Sequence, residues 1–416
     1  MIASTSRSLV DALQRVARGC DRPLRVVASG NAAVPWELLR LMDGAVKRYE
    51  LFMLNAPHGI PTRLGVTHVT PFVGPGMRSS GVSYLPARLS HVPTLLARRF
   101  VPDVVLVSVS EEHGGRWSLG SEVNILPAAM SVCRAAGGLV FAESRADMPF
   151  TYGDGELDAH DLDGVLLAPS TPALPRAAHV RGSTTSREIH RIGELVAARV
   201  ESGATLQLGI GAIPDSVVPR LTARRHLGVW SEMVADGILD LDDAGALDGG
   251  RPVVASFAVG GPRLMSWLHT NPRVRMRRTE VVNDPGRIAA QPAMTSINTA
   301  LSVDLFDQAN GSHIGSRVHS GFGGQCDFVV GAMDSPGGQA LMALRSWHPR
   351  ADVSSIVGLL EAPVTSFQHT AVITENGTAE IMGWDTKAQA RHLIEQAAHP
   401  SVRADLWEDA GELGLT

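Results

Sequence analysis

The sequence has few of the features that mark secreted or membrane-spanning proteins. Its 416 residues contain three cysteines, Cys20, Cys133 and Cys326, which are too few to form a disulfide framework. No apolar run approaches the ~20 residues that a membrane span needs. The first residues alternate apolar and polar side chains and lack the continuous apolar core of a signal peptide. We therefore expect a cytoplasmic protein with no membrane partner.

A strong excess of charge of one sign is also missing. The chain has 37 Lys and Arg against 42 Asp and Glu, so its net charge is −5, whereas nucleic-acid binding needs a concentrated basic surface. No cysteine pair has zinc spacing. Glu111, Glu112 and His113 are contiguous, so they cannot easily all face one ion, and a solvated loop is the favoured interpretation. The sequence therefore predicts neither a nucleic-acid partner nor a metal site.

Short apolar runs alternate with helical patterns along the whole chain, which has a hydrophobic content of 44%. Such alternation is typical of a mostly parallel sheet covered by helices on both faces. Because 416 residues are too many for one ordinary core, we expect two domains. The predicted fold class is α/β, with two similar open lobes, mostly parallel sheets and an active site in the cleft between them. The Pro-, Ser- and Thr-rich stretch APSTPALPRAAHVRGSTTS indicates a junction near residues 170–185, so the predicted domains are residues 1–180 and 181–416.

The stretch TLQLGIGAIPD, residues 205–215, predicts a strand that runs into a glycine turn and then a helix. Pro214 is expected at the first helical position. Gly209 and Gly211 would let the backbone approach a ligand, and free amides at the helix start favour negative charge. A dinucleotide-binding motif needs a third glycine where Pro214 stands. A turn that faces an oxyanion or phosphate is therefore favoured, while NAD binding and a plain structural turn stay open as alternatives.

A second glycine-rich stretch is HSGFGGQCDF, residues 319–328. Gly321, Gly323 and Gly324 surround the bulky Phe322, and such a loop can turn its amides toward a developing oxyanion. The alternative is a tight turn between strands. No G-x-S-x-G motif occurs in the sequence, which weakens a serine-hydrolase interpretation.

An acidic residue interrupts an apolar strand in HLGVWSEMVADG, residues 226–237. Leu227, Val229 and Trp230 predict the end of a buried strand, and Glu232 follows, flanked by Ser231 and Met233. A salt bridge or a helix cap would explain such an acid structurally. A carboxylate that loses hydration at the end of a strand would explain it chemically. The residues alone leave both explanations open.

These stretches, in this order, resemble the acetyl-CoA hydrolase/CoA-transferase family over most of the chain. In the first half the resemblance is carried by GNAAVPWELL, FVGPGMRSSGVSYLPARLSHVP and DVVLVSVSEEHGGRWSLG. In the second half it is carried by GATLQLGIGAIPDSV, LGVWSEMVADGILDL, VNDPGRIAAQPAMTSINTALSVDL, GSRVHSGFGGQCDFVVGA and VITENGTAEI. The resemblance implies a fold of the class I CoA-transferase type.

The resemblance assigns the catalytic role to Glu232, which stands in a motif like EM-x-x-DG. A glutamate of this kind attacks an acyl-CoA thioester and gives a mixed anhydride and CoA thiolate. The thiolate then attacks the glutamyl carbonyl to form an enzyme–CoA thioester, from which a second acid takes CoA by the reverse chemistry. By the same resemblance, the amides of Gly323 and Gly324 stabilise the oxyanion, and Asn283 orients the acyl group.

The resemblance also implies a set of residues that bind the substrate or CoA. These are Gly209, Gly211, Ile213, Gly321, Phe322, Gln325, Glu375 and Gly30. The partners that it implies are an acyl-CoA and a small carboxylic acid, with coenzyme A as a substrate and no bound cofactor. A homodimer or a higher homo-oligomer is expected from the family alone.

Three positions depart from the family pattern. Phe322 replaces a small aliphatic residue. Met382 and Ser355 stand where arginines are expected, and neither side chain can supply the paired donors of a guanidinium group. Substrate recognition is therefore expected to differ from the family's usual form. Three alternatives to CoA transfer stay open: thioester hydrolysis through the same glutamate, ligand binding without turnover by a drifted homologue, and C–C bond hydrolysis in a CoA-linked diketone.

Overall fold

The computed structural model describes residues 4–78, 81–168 and 186–416, and the chain divides into two compact units. The first unit comprises Met1–Ala178 and Val254–Val282, and the second comprises His179–Val253 and Asn283–Thr416. The expected junction lies outside the described residues, so the predicted division into residues 1–180 and 181–416 stays a prediction.

Residues 254–282 belong to the first unit although they lie in the second half of the chain. Backbone hydrogen bonds attach this segment to its unit: Val123 N–H donates to Ser256 O at 3.0 Å, and Met276 N–H donates to Tyr152 O at 2.8 Å. These partners are more than 100 positions apart, so contacts between distant parts of the sequence hold the segment in its unit.

The α-helices of the described residues account for most of the helical patterns in the sequence. In chain order they are α1 (Ser6–Arg18), α2 (Trp36–Ala45), α3 (Val92–Arg98), α4 (Leu126–Ala135), α5 (Arg187–Ala198), α6 (Ala212–Leu221), α7 (Gly237–Asp243), α8 (Pro262–Leu268), α9 (Thr279–Val282), α10 (Pro285–Ala289), α11 (Gln325–Asp334), α12 (Thr386–His392) and α13 (Arg403–Glu412). Among the described residues, none of the helices combines the length and the apolar character that a membrane span requires.

The first unit is built on a parallel sheet. Its strands are β1 (Leu24–Ala28), β2 (Tyr49–Phe52), β3 (Val66–Thr70), β4 (Ser83–Tyr84), β5 (Val104–Val109), β6 (Leu139–Ser144) and β7 (Gly164–Leu167), in the order β4-β3-β2-β1-β5-β6-β7. Every residue of β5 is buried, as expected for a parallel strand with both faces covered. The chain moves outward from β1 to β4 and returns beside β1 at β5. This reversal creates the kind of switch point at which open α/β sheets bind ligands.

The second unit repeats this plan. Its strands β8 (Thr205–Gln207), β9 (Gly228–Trp230), β10 (Met294–Asn298), β11 (Gln339–Ala343), β12 (Ala371–Thr374) and β13 (Gly377–Glu380) pair in the order β9-β8-β10-β11-β12-β13. All of these pairs are parallel except the last, which is an antiparallel hairpin. The predicted fold class, α/β with mostly parallel sheets, is therefore confirmed.

The remaining strands of the described residues have two or three residues each. They are Trp117–Ser118, Glu156–Leu157, Met233–Ala235, Val253–Ala255, Phe257–Val259, Val274–Met276, Ser302–Asp304, Gln308–Asn310, His313–Ile314, Arg317–Val318, Trp347–His348, Val353–Ser354, Ile356–Val357 and Ser366–Phe367. Four of them form a sheet of the second unit, in the order Ile356–Val357, Ser302–Asp304, Gln308–Asn310 and Ser366–Phe367. We call it the small sheet.

Candidate active site

Glu232 lies directly beyond the carboxyl end of β9, and its predecessor Ser231 attaches this end to the neighbouring strand. Ser231 is fully buried, and its hydroxyl accepts from Leu208 N–H at 3.2 Å and donates to Leu208 O at 3.1 Å. Leu208 follows the last residue of β8. The same polar clamp therefore fixes the start of the Gly209–Gly211 turn and the position of the acid.

The Gly209–Gly211 turn leads into α6 as the sequence predicts, with one difference. Gly211 precedes the helix with φ of 114°, a conformation that favours glycine. The helix begins at Ala212, so Pro214 is its third residue and the expectation that it would be the first is wrong. A proline is tolerated there because the N–H groups of the first helical turn have no partner within the helix. Ile213 is buried in this turn.

The second glycine loop lies directly against the carboxyl group of Glu232. An ideal Cβ on Gly324 would be 1.7 Å from Glu232 Oε2 and 2.4 Å from Asn283 Nδ2, so any side chain at position 324 would displace these groups. Gly323 has φ of 57°, which also favours glycine. Gly324 precedes the first residue of α11, so the loop is a strand-to-helix turn instead of a tight turn between strands.

Burial and hydrogen bonding act on Glu232 in opposite directions. The pKa of Glu232 is raised to about 7, with burial as the largest cause and the negative charge of Asp327 acting in the same direction. Asn283 Nδ2, which donates to Oε2 at 3.1 Å, and the backbone N–H of Gly324 limit this rise because they favour the ionised form. The residue as a whole is half-buried, and its carboxyl group is desolvated. Near neutral pH such a group exists in both the ionised and the protonated form.

Asn283 is itself fully buried, and its position is set at the start of the VNDP segment. Its amide nitrogen contacts Glu232, while its carbonyl oxygen Oδ1 is buried and has no hydrogen-bond partner. The structure therefore brings together four of the residues that the sequence singled out: Glu232, Asn283, Gly323 and Gly324.

The other predicted residues of the second glycine loop lie in the same segment as Gly324. Gly321 is buried and Phe322 is half-buried. Gln325 is the first residue of α11, and its side chain is held at both ends. Its Nε2 donates to Thr299 O at 2.9 Å, and its Oε1 accepts from Thr365 Oγ1 at 2.7 Å.

Glu375 does not contact Glu232. It follows β12, and its carboxylate accepts from the backbone N–H of Ser346 at 2.9 Å and from the hydroxyl of the same residue. β12 is four strands from β9 in the sheet, which corresponds to a strand separation of about 19 Å. Its expected role at the substrate stays a prediction.

Gly30 belongs to the first unit, where it follows β1 at the switch point of the sheet. An ideal Cβ at this position would be 2.0 Å from Leu54 O, which explains why the chain has glycine here. Its predicted contact with the substrate stays a prediction. At the two positions where arginines are expected, Met382 is exposed and Ser355 is buried.

A polar network in the first unit leaves no recognisable pattern in the sequence. Glu122 is buried and accepts from Asn31 Nδ2 at 2.8 Å and, at 3.4 Å, from Asn124 Nδ2, while Asn55 donates to Asn31 at 2.9 Å. The pKa of Glu122 is raised to about 7 because burial outweighs the two amide donors, which favour the ionised form. All three asparagines have positive φ, between 37° and 48°. Asparagine adopts this conformation more readily than most residues, but its sequence pattern does not reveal it.

In the three described ranges, no group of three or more His, Cys, Asp and Glu side chains could hold a metal ion. The described site offers the chemistry of a carboxyl group with a raised pKa, held by an amide side chain and packed against the backbone of a glycine turn. Such a group can act as a nucleophile toward a carbonyl carbon or as an acid–base group.

Comparison with known proteins defines the class of this chain. A family model described as the acetyl-CoA hydrolase/transferase C-terminal domain matches residues 260–410. The 4-hydroxybutyrate coenzyme A transferase of Clostridium kluyveri is 36% identical over 359 residues, which cover 82% of this chain and 81% of that protein. The succinyl-CoA:acetate/propanoyl-CoA:succinate CoA transferase of Fasciola hepatica is 33% identical over 409 residues, which cover 92% of this chain and 83% of that protein.

Solved structures give the same result for the fold. The crystal structure of a 4-hydroxybutyrate CoA-transferase from Porphyromonas gingivalis matches with a TM-score of 0.78 and 28% sequence identity, covering 99% of this chain and 97% of that one. The fold and the sequence similarity together define an α/β enzyme of the CoA-transferase class. Thioester hydrolysis is the alternative activity. The chain belongs to the acetyl-CoA hydrolase/CoA-transferase family.

Proposed function

We propose that this enzyme transfers CoA from an acyl-CoA to a small carboxylic acid, with Glu232 as the covalent nucleophile. The observation that carries the proposal is the packing of the Glu232 carboxyl group against Gly324 and Asn283. A structural acid would be expected to pair with a cation. The described contacts of Glu232 are instead an amide, a glycine backbone and the negative charge of Asp327.

In the first step, an oxygen of ionised Glu232 attacks the thioester carbonyl carbon of the acyl-CoA. The C–S bond breaks, CoA leaves as a thiolate, and a mixed anhydride joins the acyl group to Glu232. A carboxylate is a weak nucleophile in water, and partial desolvation combined with proximity favours its attack. The raised pKa makes Glu232 more nucleophilic once ionised but keeps part of it protonated near pH 7.

In the second step, the CoA thiolate attacks the carbonyl carbon of Glu232 and releases the acyl group as a carboxylate. The negative charge of this tetrahedral intermediate develops on the glutamyl oxygen. Asn283 Nδ2 and the Gly324 N–H already donate to the carboxyl group of Glu232. A donor placed in this way stabilises the oxyanion by roughly 3 kcal/mol. The same groups then stabilise the reverse steps, in which a second carboxylate takes CoA.

Thioester hydrolysis is the second candidate function, because the family model that matches the chain covers hydrolases as well as transferases. Water would then replace the second carboxylate and release CoA from the glutamyl thioester. Both functions need the same nucleophile and differ only in the acceptor.

We also propose that CoA is a substrate and that no cofactor is permanently bound. A cytoplasmic location and a homodimer or higher homo-oligomer complete the proposal. The small number of cysteines supports a reducing compartment.

The proposal is tested by mass spectrometry of the intact protein after incubation with a panel of acyl-CoAs. We expect an adduct with the mass of CoA, and borohydride reduction should convert the side chain of residue 232 to a primary alcohol. The adduct should be absent from Glu232→Gln and present in Glu361→Gln, a matched change at an exposed glutamate. An adduct on Glu232→Gln, or none on the wild type with any acyl-CoA, would overturn the proposal.

An isotopically labelled carboxylate separates the two candidate functions. Label that enters the acyl-CoA pool shows CoA transfer. Free CoA that accumulates without incorporation of label shows hydrolysis.

A further inference from the structure

A chain of buried polar side chains connects the small sheet to the glycine loop of the site. His369 Nδ1 lies 2.8 Å from Asp307 Oδ1, and the backbone N–H of His369 donates to Asp307 Oδ2 at 2.6 Å. His369 Nε2 lies 2.9 Å from Ser366 Oγ. Ser366 Oγ in turn donates to Gln325 Oε1 at 3.1 Å. Asp307, His369 and Ser366 are each no more than 2% exposed, so the chain is shielded from solvent.

The two ends of this series of hydrogen bonds, Asp307 Oδ1 and Gln325 Oε1, can only accept. His369 and Ser366 lie between them and link the two acceptors. The four buried side chains therefore form one uninterrupted network, in which each group limits the positions that its neighbours can take.

Ser366, His369 and Asp307 have the connectivity of a Ser–His–Asp triad, but their burial excludes the corresponding chemistry. Ser366 is 2% exposed, so a substrate carbonyl cannot reach its hydroxyl in this structure. Its hydrogen-bonding capacity is directed toward Gln325. The series of hydrogen bonds therefore ends at the side chain of Gln325.

Gln325 is the point at which this chain meets the site. Its Oε1 is held by two hydroxyls, Thr365 Oγ1 at 2.7 Å and Ser366 Oγ at 3.1 Å, and its Nε2 by Thr299 O at 2.9 Å. Gln325 follows Gly324, whose backbone contacts the carboxyl group of Glu232. A shift of Gln325 must therefore be transmitted to the Gly324 N–H.

The other end of the glycine loop is attached to the same region. Ser320 Oγ donates to Gly311 O at 2.7 Å, and Gly311 N–H donates to Thr365 Oγ1 at 2.9 Å. Thr365 also donates to Gln325. Both ends of the loop that carries Gly323 and Gly324 are thus fixed to one hydrogen-bonded frame beside the small sheet.

We propose that Asp307, His369 and Ser366 are positioning residues that hold Gln325, and through it the Gly323–Gly324 turn, in register with Glu232. The inference rests on the proposed function, since it assigns these three side chains an effect on the covalent steps of Glu232. None of the three residues touches the reacting atoms. Their effect is on the placement of the Gly324 N–H, and a displacement of catalytic groups by a fraction of an ångström lowers the rate while leaving substrate binding almost unchanged.

Three variants separate positioning from general stability. Ser366→Ala removes the hydroxyl that joins His369 to Gln325. Ser366→Thr restores it, and Ser366 lines a cavity of about 160 Å³. Ser335→Ala is the matched control, because Ser335 is a buried serine just beyond the opposite end of α11 whose hydroxyl also has two partners, Gln291 O and Met294 N–H.

We expect Ser366→Ala to lower kcat for CoA transfer by about tenfold while KM for the acyl-CoA changes by less than about twofold. Ser366→Thr should recover most of the kcat. Ser335→Ala should lower the melting temperature by a similar amount without this loss of kcat. Equal losses of kcat in the two alanine variants, or no loss in Ser366→Ala at a temperature where it is folded, would overturn the inference.

Hydrogen exchange distinguishes failure of the inference from failure of the proposed function. Ser366→Ala should speed amide exchange in the segment 321–326, and Ser335→Ala should not. If the wild type forms no CoA adduct, the proposed function fails whatever this exchange shows. If the adduct forms and exchange in this segment is unchanged in Ser366→Ala, the inference alone fails.

Discussion

Gly324 lies so close to Glu232 that a Cβ on residue 324 would be 1.7 Å from the carboxyl oxygen Oε2. Such contact leaves no space for a side chain, so the glycine backbone is one wall of the site. The hydrogen-bond donors of this wall can reach the carboxyl group only because the chain has glycine there. The turn and the acid therefore depend on each other for their geometry.

Replacing Gly324 with alanine should abolish most activity. The added methyl group would displace Glu232 Oε2 and Asn283 Nδ2, so we expect kcat/KM to fall by about 100-fold or more, as when an oxyanion donor is lost. Gly411→Ala is the control, since a Cβ there has nothing within 4 Å and alanine favours the helix. Steady-state kinetics of both variants make the comparison. A Gly324→Ala enzyme with wild-type kcat/KM would contradict the described contact.

The pH dependence of adduct formation should reflect the raised pKa of Glu232. Only the ionised carboxylate attacks the thioester, so kcat/KM should rise with pH and level off above about pH 7. Asn283→Ala removes a hydrogen bond that lowers this pKa, so the midpoint of the profile should move to higher pH. Measurement of kcat/KM between pH 5 and pH 9 for both enzymes checks the shift. An unchanged midpoint in the variant would show that Asn283 does not stabilise the ionised form.

Glu122 should make the stability of the protein depend on pH. Burial raises its pKa from 4.5 to about 7, so the folded protein binds this proton more tightly than the unfolded chain does. The resulting contribution to the free energy of unfolding, about 3 kcal/mol for this shift, is fully present below about pH 4.5 and is lost as the pH rises through about 7.

Glu122→Gln imitates the protonated carboxyl group and should remove this dependence. At pH 8 the variant should be more stable than the wild type, by about 1–3 kcal/mol, and at pH 5 the two should differ little. Glu112→Gln, at an exposed position, should show no such difference. Chemical denaturation at the two pH values measures it, and a constant stability difference between pH 5 and pH 8 would contradict the assignment.

The amino-acid sequence was sufficient to predict the two parallel sheets and the position of Glu232 after β9. These features follow from local patterns: apolar runs give the strands, glycines mark the turns, and an acid after an apolar strand is conspicuous. Family resemblance added Asn283 and Gly324, which the structure places in contact with Glu232.

The polar networks could not be predicted in this way. Asp307 and His369 are 62 positions apart, and neither interrupts a recognisable motif. Asn31 and Glu122, which are also joined by a hydrogen bond, are 91 positions apart. Such pairs meet only because strands distant in sequence are neighbours in a sheet. A buried hydrogen bond between them leaves no periodic signal in the chain.

Substitution of Ser231 tests how the carboxyl ends of β8 and β9 hold Glu232 in position. Its buried hydroxyl satisfies both the N–H and the C=O of Leu208, so Ser231→Ala leaves two backbone groups without partners and should destabilise the protein by about 1–3 kcal/mol. Activity should fall as well, because the same clamp fixes the residue next to Glu232.

Ser216→Ala is the control, since Ser216 is another buried serine of this unit whose hydroxyl donates to Ile189 O. Both variants should lose stability in chemical denaturation, and only Ser231→Ala should also lose kcat. If the two variants lose the same fraction of kcat, the Ser231 clamp contributes to folding alone and the position of Glu232 is set by other contacts.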